Sequence, residues 1–135
     1  MQIFCGTDIT EVSRIGKALS RNEEAFLRGT FTPKEIEYCN GKKDRSRLES
    51  FAARFAAKEA AGKALGTGVM AQGIRLTDIE IDRDGNGMPV LNLMGKAEQR
   101  AKELGIVSMS VSLSHDAGLA IAYVTMLGSK DEEEQ

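Results

Sequence analysis

Four side chains in this sequence have the type and placement to do chemistry: Asp8 in GTDITE, Glu59 and Lys63 in RFAAKEAAGKALGTG, and His115 in SLSHD. Glu59 raises the sharpest question. Counting roughly 100° per residue from Leu48 puts Phe51 near 300°, Phe55 near 340°, Glu59 near 20° and Lys63 near 60°. The glutamate therefore continues an apolar stripe, and Gly62 clears space beside it. An exposed i,i+4 pair with Lys63 contributes only a few tenths of a kcal/mol, which does not explain an inward carboxylate. A carboxylate in such a place must be ion-paired, protonated or bound to metal.

Asp8 admits two readings. The spacing Asp8-x-x-Glu11 suits a capping box at the start of a helix. Strand alternation instead sets Asp8 beside Gly6 on the face carrying Phe4, where another backbone can approach closely. His115 is the only histidine. It extends the Met109, Val111, Leu113 face to the end of its strand, with Asp116 next in the chain.

Two other motifs look like sites and are not. DRDGNG places Asp82, Asp84, Asn86 and Gly87 where a calcium loop begins, but its twelfth position is Leu93 and its flanks read as strands, so it is a hairpin turn. The glycines of GTG follow a helix and lack the lysine of a phosphate loop, so Gly66 reads first as a C-cap. Cys5 and Cys39 match no metal spacing and read as reduced thiols.

The elements that must position these groups are legible. Residues 2–9 alternate as a strand. From about Thr10 the spacing turns helical, with Val12, Ile15, Leu19 and Phe26 apolar and Arg14, Lys17, Arg21 and Arg28 interspersed. FTPKEIEYC is a short helix with Thr32 as N-cap and Pro33 in its first turn. After the polar connection NGKKDRSR, a long helix runs from about Ser46 to Leu65. DIEIDRDGNGMPVLNL forms a hairpin around DGNG. GKAEQRAKELG is an amphipathic helix closed by Gly105, and SMSVSLSH and LAIAYVTML form a second hairpin turning at His115-Asp116-Ala117-Gly118. The pattern predicts one α+β domain over residues 1–128, its helices packed on one antiparallel sheet of about five strands.

Bulk properties limit the classes of function. At 135 residues, 41% hydrophobic and 28% charged, the chain is ordinary globular material with an aliphatic and alanine core. MQIFCGTDI lacks the basic region of a signal peptide, and no apolar run approaches the roughly 18 residues of a membrane span, so a cytoplasmic protein is expected. Residues 1–63 carry 12 Lys/Arg against 9 Asp/Glu, and residues 64–128 carry 5 against 7. That balance is too mild for a nucleic-acid binder but suits a smaller acidic partner. The run DEEE within residues 129–135 reads as a solvated acidic tail.

Taken together, GTDITEVSRI, FTPKEIEY, RFAAKEAAGKALGTG, DIEI…DGNGMP and SLSH resemble, in order, the motifs of the holo-acyl-carrier-protein synthases, the small 4′-phosphopantetheinyl transferases. The likeness spans nearly everything before the acidic tail. It implies that family's fold and its reaction: transfer of the phosphopantetheine arm of coenzyme A to a serine hydroxyl of an apo acyl carrier protein in fatty acid biosynthesis. The other product is adenosine 3′,5′-bisphosphate. By the resemblance, Asp8 and Glu59 bind magnesium and Lys63 faces phosphate. Arg54, Gly66, Pro89 and His115, with Lys63, contact the coenzyme. The serine proton goes to Glu59, to a metal-bound water, or to the His115/Asp116 pair. Two carboxylates about 4 Å apart repel by roughly 4 kcal/mol at an effective dielectric near 20, and a divalent ion between them reverses the sign. Arg14, Lys17, Arg21 and Arg28 suit docking of an acidic carrier protein. The family is typically a homotrimer with active sites between subunits. The alternatives are a carrier-protein-binding adaptor without catalysis and a generic divalent-ion or nucleotide-binding module.

Overall fold

The computed structural model describes residues 1–129, so the acidic run expected as a tail lies, from residue 130 on, outside the described residues. The element order is β1 Gln2–Glu11, α1 Val12–Arg21, α2 Glu23–Thr30, α3 Pro33–Asn40 and α4 Asp44–Ala64. A single 3-10 turn at Leu76–Asp78 then leads into β2 Ile79–Arg83, β3 Pro89–Leu93, α5 Gly95–Leu104, β4 Ile106–Asp116 and β5 Leu119–Gly128. The class is α+β. The five expected strands divide into an antiparallel sheet of order β1-β5-β4 and a two-stranded ladder β2-β3. β3 and β4 lie side by side without a ladder. A groove of about 610 Å³ runs between them, lined by Leu91, Leu93, Met109 and Val111.

Local chemistry accounts for most boundaries. Thr32 caps α3 through a reciprocal capping box with Glu35, and Pro33 occupies its first turn. Gly66 follows α4 at φ +80°, and Gly105 closes α5 in the left-handed conformation. Ala117 and Gly118 both take positive φ at the β4–β5 turn, as a two-residue hairpin requires. Two boundaries moved. β1 runs on to Glu11 because its ladder with β5 continues to the pair Glu11↔Leu119. The helical stretch read from Thr10 as one run is two helices, broken at Asn22, whose side chain accepts from Ala25 N at 3.1 Å.

α4 is the central element, buried around most of its circumference and packed on one face of the three-stranded sheet. Alanines make this possible. Ala56, Ala57, Ala60 and Ala61 meet Ala122, Val124 and Met126 of β5, with Ile79, Ile81 and Leu91 closing the cluster. A second cluster joins Val12, Ile15, Leu19, Phe31 and Phe51 under α1–α3. The outer face of the sheet carries apolar side chains to solvent: Ile3 at 65%, Ile9 at 62%, Ile121 at 40% and Tyr123 at 48% exposure.

Candidate active site

Gly6 decides how α4 meets β1. A Cβ at Gly6 would overlap the carbonyl oxygen of Ala60, so only glycine lets the helix backbone lie directly on the strand. The close approach that strand alternation pointed to is therefore present. It sets Glu59 and Lys63, one helical turn apart, beside Asp8, two residues along β1. Lys63 Nζ reaches Asp8 Oδ1 at 3.2 Å and the Thr7 carbonyl oxygen at 2.9 Å. Thr10, buried, donates its hydroxyl to Asp8 Oδ2 at 3.0 Å. Asp8 is no helix cap: the residue before α1 is Glu11, which makes no side-chain cap bond, and Asp8 lies inside the β1–β5 ladder.

Glu59 is half-buried, and burial raises its pKa above the ordinary carboxylate value. Asp8's charge raises it further, and Lys63's charge opposes both. Asp8 is thus near enough to act on Glu59 as a like charge. Two hard-oxygen donors that repel each other, with an ammonium already drawn to one of them, form a donor set suited to a divalent cation that keeps positions for phosphate oxygens. Among the described residues no three His, Cys, Asp or Glu side chains cluster as a closed metal cage. Gly62 clears space less for Glu59 than for backbone, since a Cβ there would come within 2.9 Å of Gly68 C and Val69 N.

Arg54 and His115 gather elsewhere, at a pocket of about 260 Å³ shared with Tyr38, Lys42, Glu49 and Arg83. The guanidinium carbon of Arg54 lies 4.2 Å from the Tyr38 ring centroid, and that of Arg83 lies 4.9 Å away. Arg54 is 2% exposed; its Nη1 donates to Ser50 O at 3.4 Å and its Nε has no partner. His115 Nδ1 sits 3.4 Å from Glu49 Oε2. The expected His115/Asp116 pair does not form one relay, because successive strand residues point to opposite faces of the sheet. Pro89 opens β3 opposite Arg83, at the rim of the same region, and Gly66 stays at the C-terminus of α4.

Arg14, Lys17 and Arg21 are exposed and share one face of α1 by their spacing. Arg28 is apart from them on α2, ion-paired to Glu24 at 2.7 Å. The most deeply buried charges on or near α4 were missed in the sequence: Lys58 and Glu35, both fully buried and 2.6 Å apart. A signal existed, since Lys58 falls near 280° on the wheel, close to Phe51. Tyr38, Lys42, Glu49 and Arg83 gave no such signal, being ordinary surface types on three separate elements and the turn between two of them.

With this geometry in place, the likeness to known proteins is specific. A family model described as the 4′-phosphopantetheinyl transferase superfamily matches residues 4–124. A curated holo-[acyl-carrier-protein] synthase from Ruminiclostridium cellulolyticum is 44% identical over 126 residues, covering 93% of this chain and 92% of that protein. The crystal structure of Helicobacter pylori holo-[acyl-carrier-protein] synthase in complex with coenzyme A superposes with a TM-score of 0.79 at 35% identity, covering 91% of this chain and 99% of that one. The corresponding Bacillus anthracis structure, in complex with CoA (3′,5′-ADP), gives 0.76 at 32% identity, covering 93% and 96%. The chain belongs to the 4′-phosphopantetheinyl transferase superfamily, and within it to the holo-[acyl-carrier-protein] synthases.

Proposed function

We propose that this chain transfers the 4′-phosphopantetheine group of coenzyme A to a serine hydroxyl of an apo acyl carrier protein, with Mg²⁺, releasing adenosine 3′,5′-bisphosphate. The serine oxygen forms a bond to the phosphorus that bears the pantetheine arm, and the bond from that phosphorus to the oxygen of the adenosine bisphosphate breaks. The observation that carries this reading is the grouping of Asp8, Glu59 and Lys63 around the glycine contact of β1 with α4.

Asp8 and Glu59 would hold the magnesium ion, which supplies charge neutralisation on the diphosphate when bound. Lys63, exposed and on the same face, offsets charge on the departing bisphosphate. Thr10 fixes the Asp8 carboxylate through its hydrogen bond to Oδ2. Glu59 is assigned to receive the serine proton, because it stands beside Asp8 and Lys63 where the diphosphate would be held. Arg54 and His115, with Pro89 and Gly66 at the margins, are assigned to the coenzyme's phosphates. The exposed basic face of α1 is assigned to the acidic carrier protein, Arg14 and Lys17 and Arg21 leading and Arg28 contributing from α2. A carrier of fatty acid synthesis in the cytoplasm is the substrate proposed. Among the described residues no helix is long and apolar enough to cross a membrane.

Arg54 and Glu59 project from α4 roughly 140° apart, so one copy turns its metal half and its coenzyme half in different directions. A homotrimer with sites between subunits lets one copy's Arg54 pocket face its neighbour's Asp8 and Glu59. The apolar outer sheet face supports that assembly. An adaptor without catalysis has no use for two mutually repelling carboxylates. The test is direct: apo carrier protein, coenzyme A and magnesium, followed by mass spectrometry for the phosphopantetheine increment on the carrier serine. Increment dependent on all three components is expected, and its absence with every carrier tried sinks the reading.

A further inference from the structure

α4 contributes the lysine of a second carboxylate–lysine pair that the transfer chemistry leaves unused, its carboxylate coming from α3. Glu35 and Lys58 are both fully buried, with Oε1 and Nζ 2.6 Å apart. Their remaining valences are taken too. Glu35 Oε1 accepts from Thr32 N at 2.9 Å, and Oε2 accepts from Ile81 N at 3.0 Å. Lys58 Nζ donates to Leu76 O at 3.0 Å and to Ile79 O, and lies 5.5 Å from the Phe31 ring centroid. Burial lowers the lysine's pKa from its ordinary value, and Glu35's charge opposes that shift. Taking two charges out of water is a penalty their attraction only roughly repays, and packed apolar residues often stabilise a core as well. Stability alone does not account for this pair.

Its location does. The pair binds α3, α4 and the start of β2 to one another. Those same three elements line the basic pocket, and its stacked cluster takes one residue from each: Tyr38 from α3, Arg54 from α4 and Arg83 from β2. The spacing is one structural repeat in every case. Tyr38 is three residues beyond Glu35, and Arg54 is four before Lys58, on the same helix faces. Arg83 is two residues beyond Ile81, on the same side of its strand. Each pocket residue therefore stands directly over an anchored one. Two guanidinium groups on one tyrosine ring repel each other, and the buried Nε of Arg54 is left without a partner. Such a cluster spreads apart unless its backbones are fixed from below.

We propose that the Glu35–Lys58 ion pair is a positioning element of the coenzyme pocket, holding α3, α4 and β2 in the register that keeps Arg54 and Arg83 together on Tyr38 with donors free for a phosphate group. This rests on the assignment of that pocket to the coenzyme. Glu35 and Lys58 touch no substrate; they act through Tyr38, Arg54 and Arg83.

The test uses the full chain in its native oligomeric state. Glu35→Gln combined with Lys58→Met removes both charges at similar volume. Coenzyme A affinity is measured by titration calorimetry, alongside steady-state kinetics and thermal unfolding. The expected result is a coenzyme Kd and KM raised about tenfold, while kcat at saturating coenzyme and the carrier-protein KM change less than twofold. A pair that only stabilises the fold lowers the unfolding midpoint and leaves the Kd of the folded molecules unchanged, and that outcome overturns the proposal. Arg54→Met separates the two layers. If it weakens coenzyme binding and the double variant does not, the positioning role is wrong and the pocket assignment stands. If Arg54→Met itself leaves coenzyme affinity intact, the pocket assignment falls and the positioning role with it. Should the double variant not fold, Glu35→Asp draws the carboxylate back by one methylene and carries the same measurement, with the same two outcomes.

Discussion

Two carboxylate–lysine groupings use neighbouring residues of α4, and they are built to opposite specifications. Lys58 and Glu35 are wholly buried, and each polar atom of the pair meets a partner from α3, α4, β2 or the turn before it. One residue further along, Glu59 is half-buried beside another carboxylate. The lysine that could serve it, Lys63, is 53% exposed and is drawn to Asp8 Oδ1 and Thr7 O instead. The first arrangement is satisfied and the second is frustrated. A satisfied buried network fixes geometry, whereas uncompensated like charge at a cleft is retained where a ligand resolves it. The groupings differ in burial, and they differ most in whether the carboxylate has its partner.

The comparison breaks most sharply at Glu59. Glu59→Gln should lower turnover at least a thousandfold, about 4 kcal/mol in the barrier, with the fold intact by circular dichroism. Its stability should move the other way. The folded chain raises Glu59's pKa, so it holds that proton more tightly than the unfolded chain does. The parent therefore loses stability as pH rises through the raised value, and the glutamine variant does not. The variant's unfolding midpoint should exceed the parent's by a margin that opens as pH rises above the ordinary carboxylate value and stops growing once the raised value is passed. A gap independent of pH would show that the carboxylate is not strained.

Lys58→Met alone tests the satisfied side. Removing one partner leaves Glu35 as an unpaired buried charge, and urea unfolding should show a loss of about 3 kcal/mol. A loss under 1 kcal/mol would mean the pair is not a closed network. Gly6→Ala attacks the contact that brings Asp8 to Glu59 and Lys63. Its methyl meets the Ala60 carbonyl, which cannot retreat without lifting α4. About 2 kcal/mol of stability should go, and manganese binding at Asp8 and Glu59, read by calorimetry, should weaken along with it. Arg14→Glu reaches neither grouping. It should raise the carrier-protein KM about tenfold at low salt, less at high salt, and leave coenzyme affinity alone. Equal loss on both substrates would remove α1 as a docking face.

Much of the fold could be read directly, because its boundaries rest on local chemistry. Thr32 with Pro33, Gly66, Gly105 and the DGNG turn each announce an end or a reversal within a few residues. Of the two boundaries that moved, the one between β1 and α1 depends on β5, more than a hundred residues away. Asp8 could be read as a cap or as a site for the same reason: its neighbours permit both, and the ladder with β5 excludes the first. The split of five strands into three and two was invisible because alternation states which face a residue takes, not which edge its strand joins.

The chain's residues, taken alone, determined the α+β class, the hairpins, the long helix and the inward tilt of Glu59, since each follows from periodicity and caps that act over one or two turns. The tertiary structure alone decided that α4 lies on Gly6 so that Asp8, Glu59 and Lys63 meet. It also decided that His115 belongs with Glu49 and not Asp116, and that Glu35 finds Lys58 across the core. Charges interact through space at a few ångströms, and the chain order of the residues carrying them does not fix that distance.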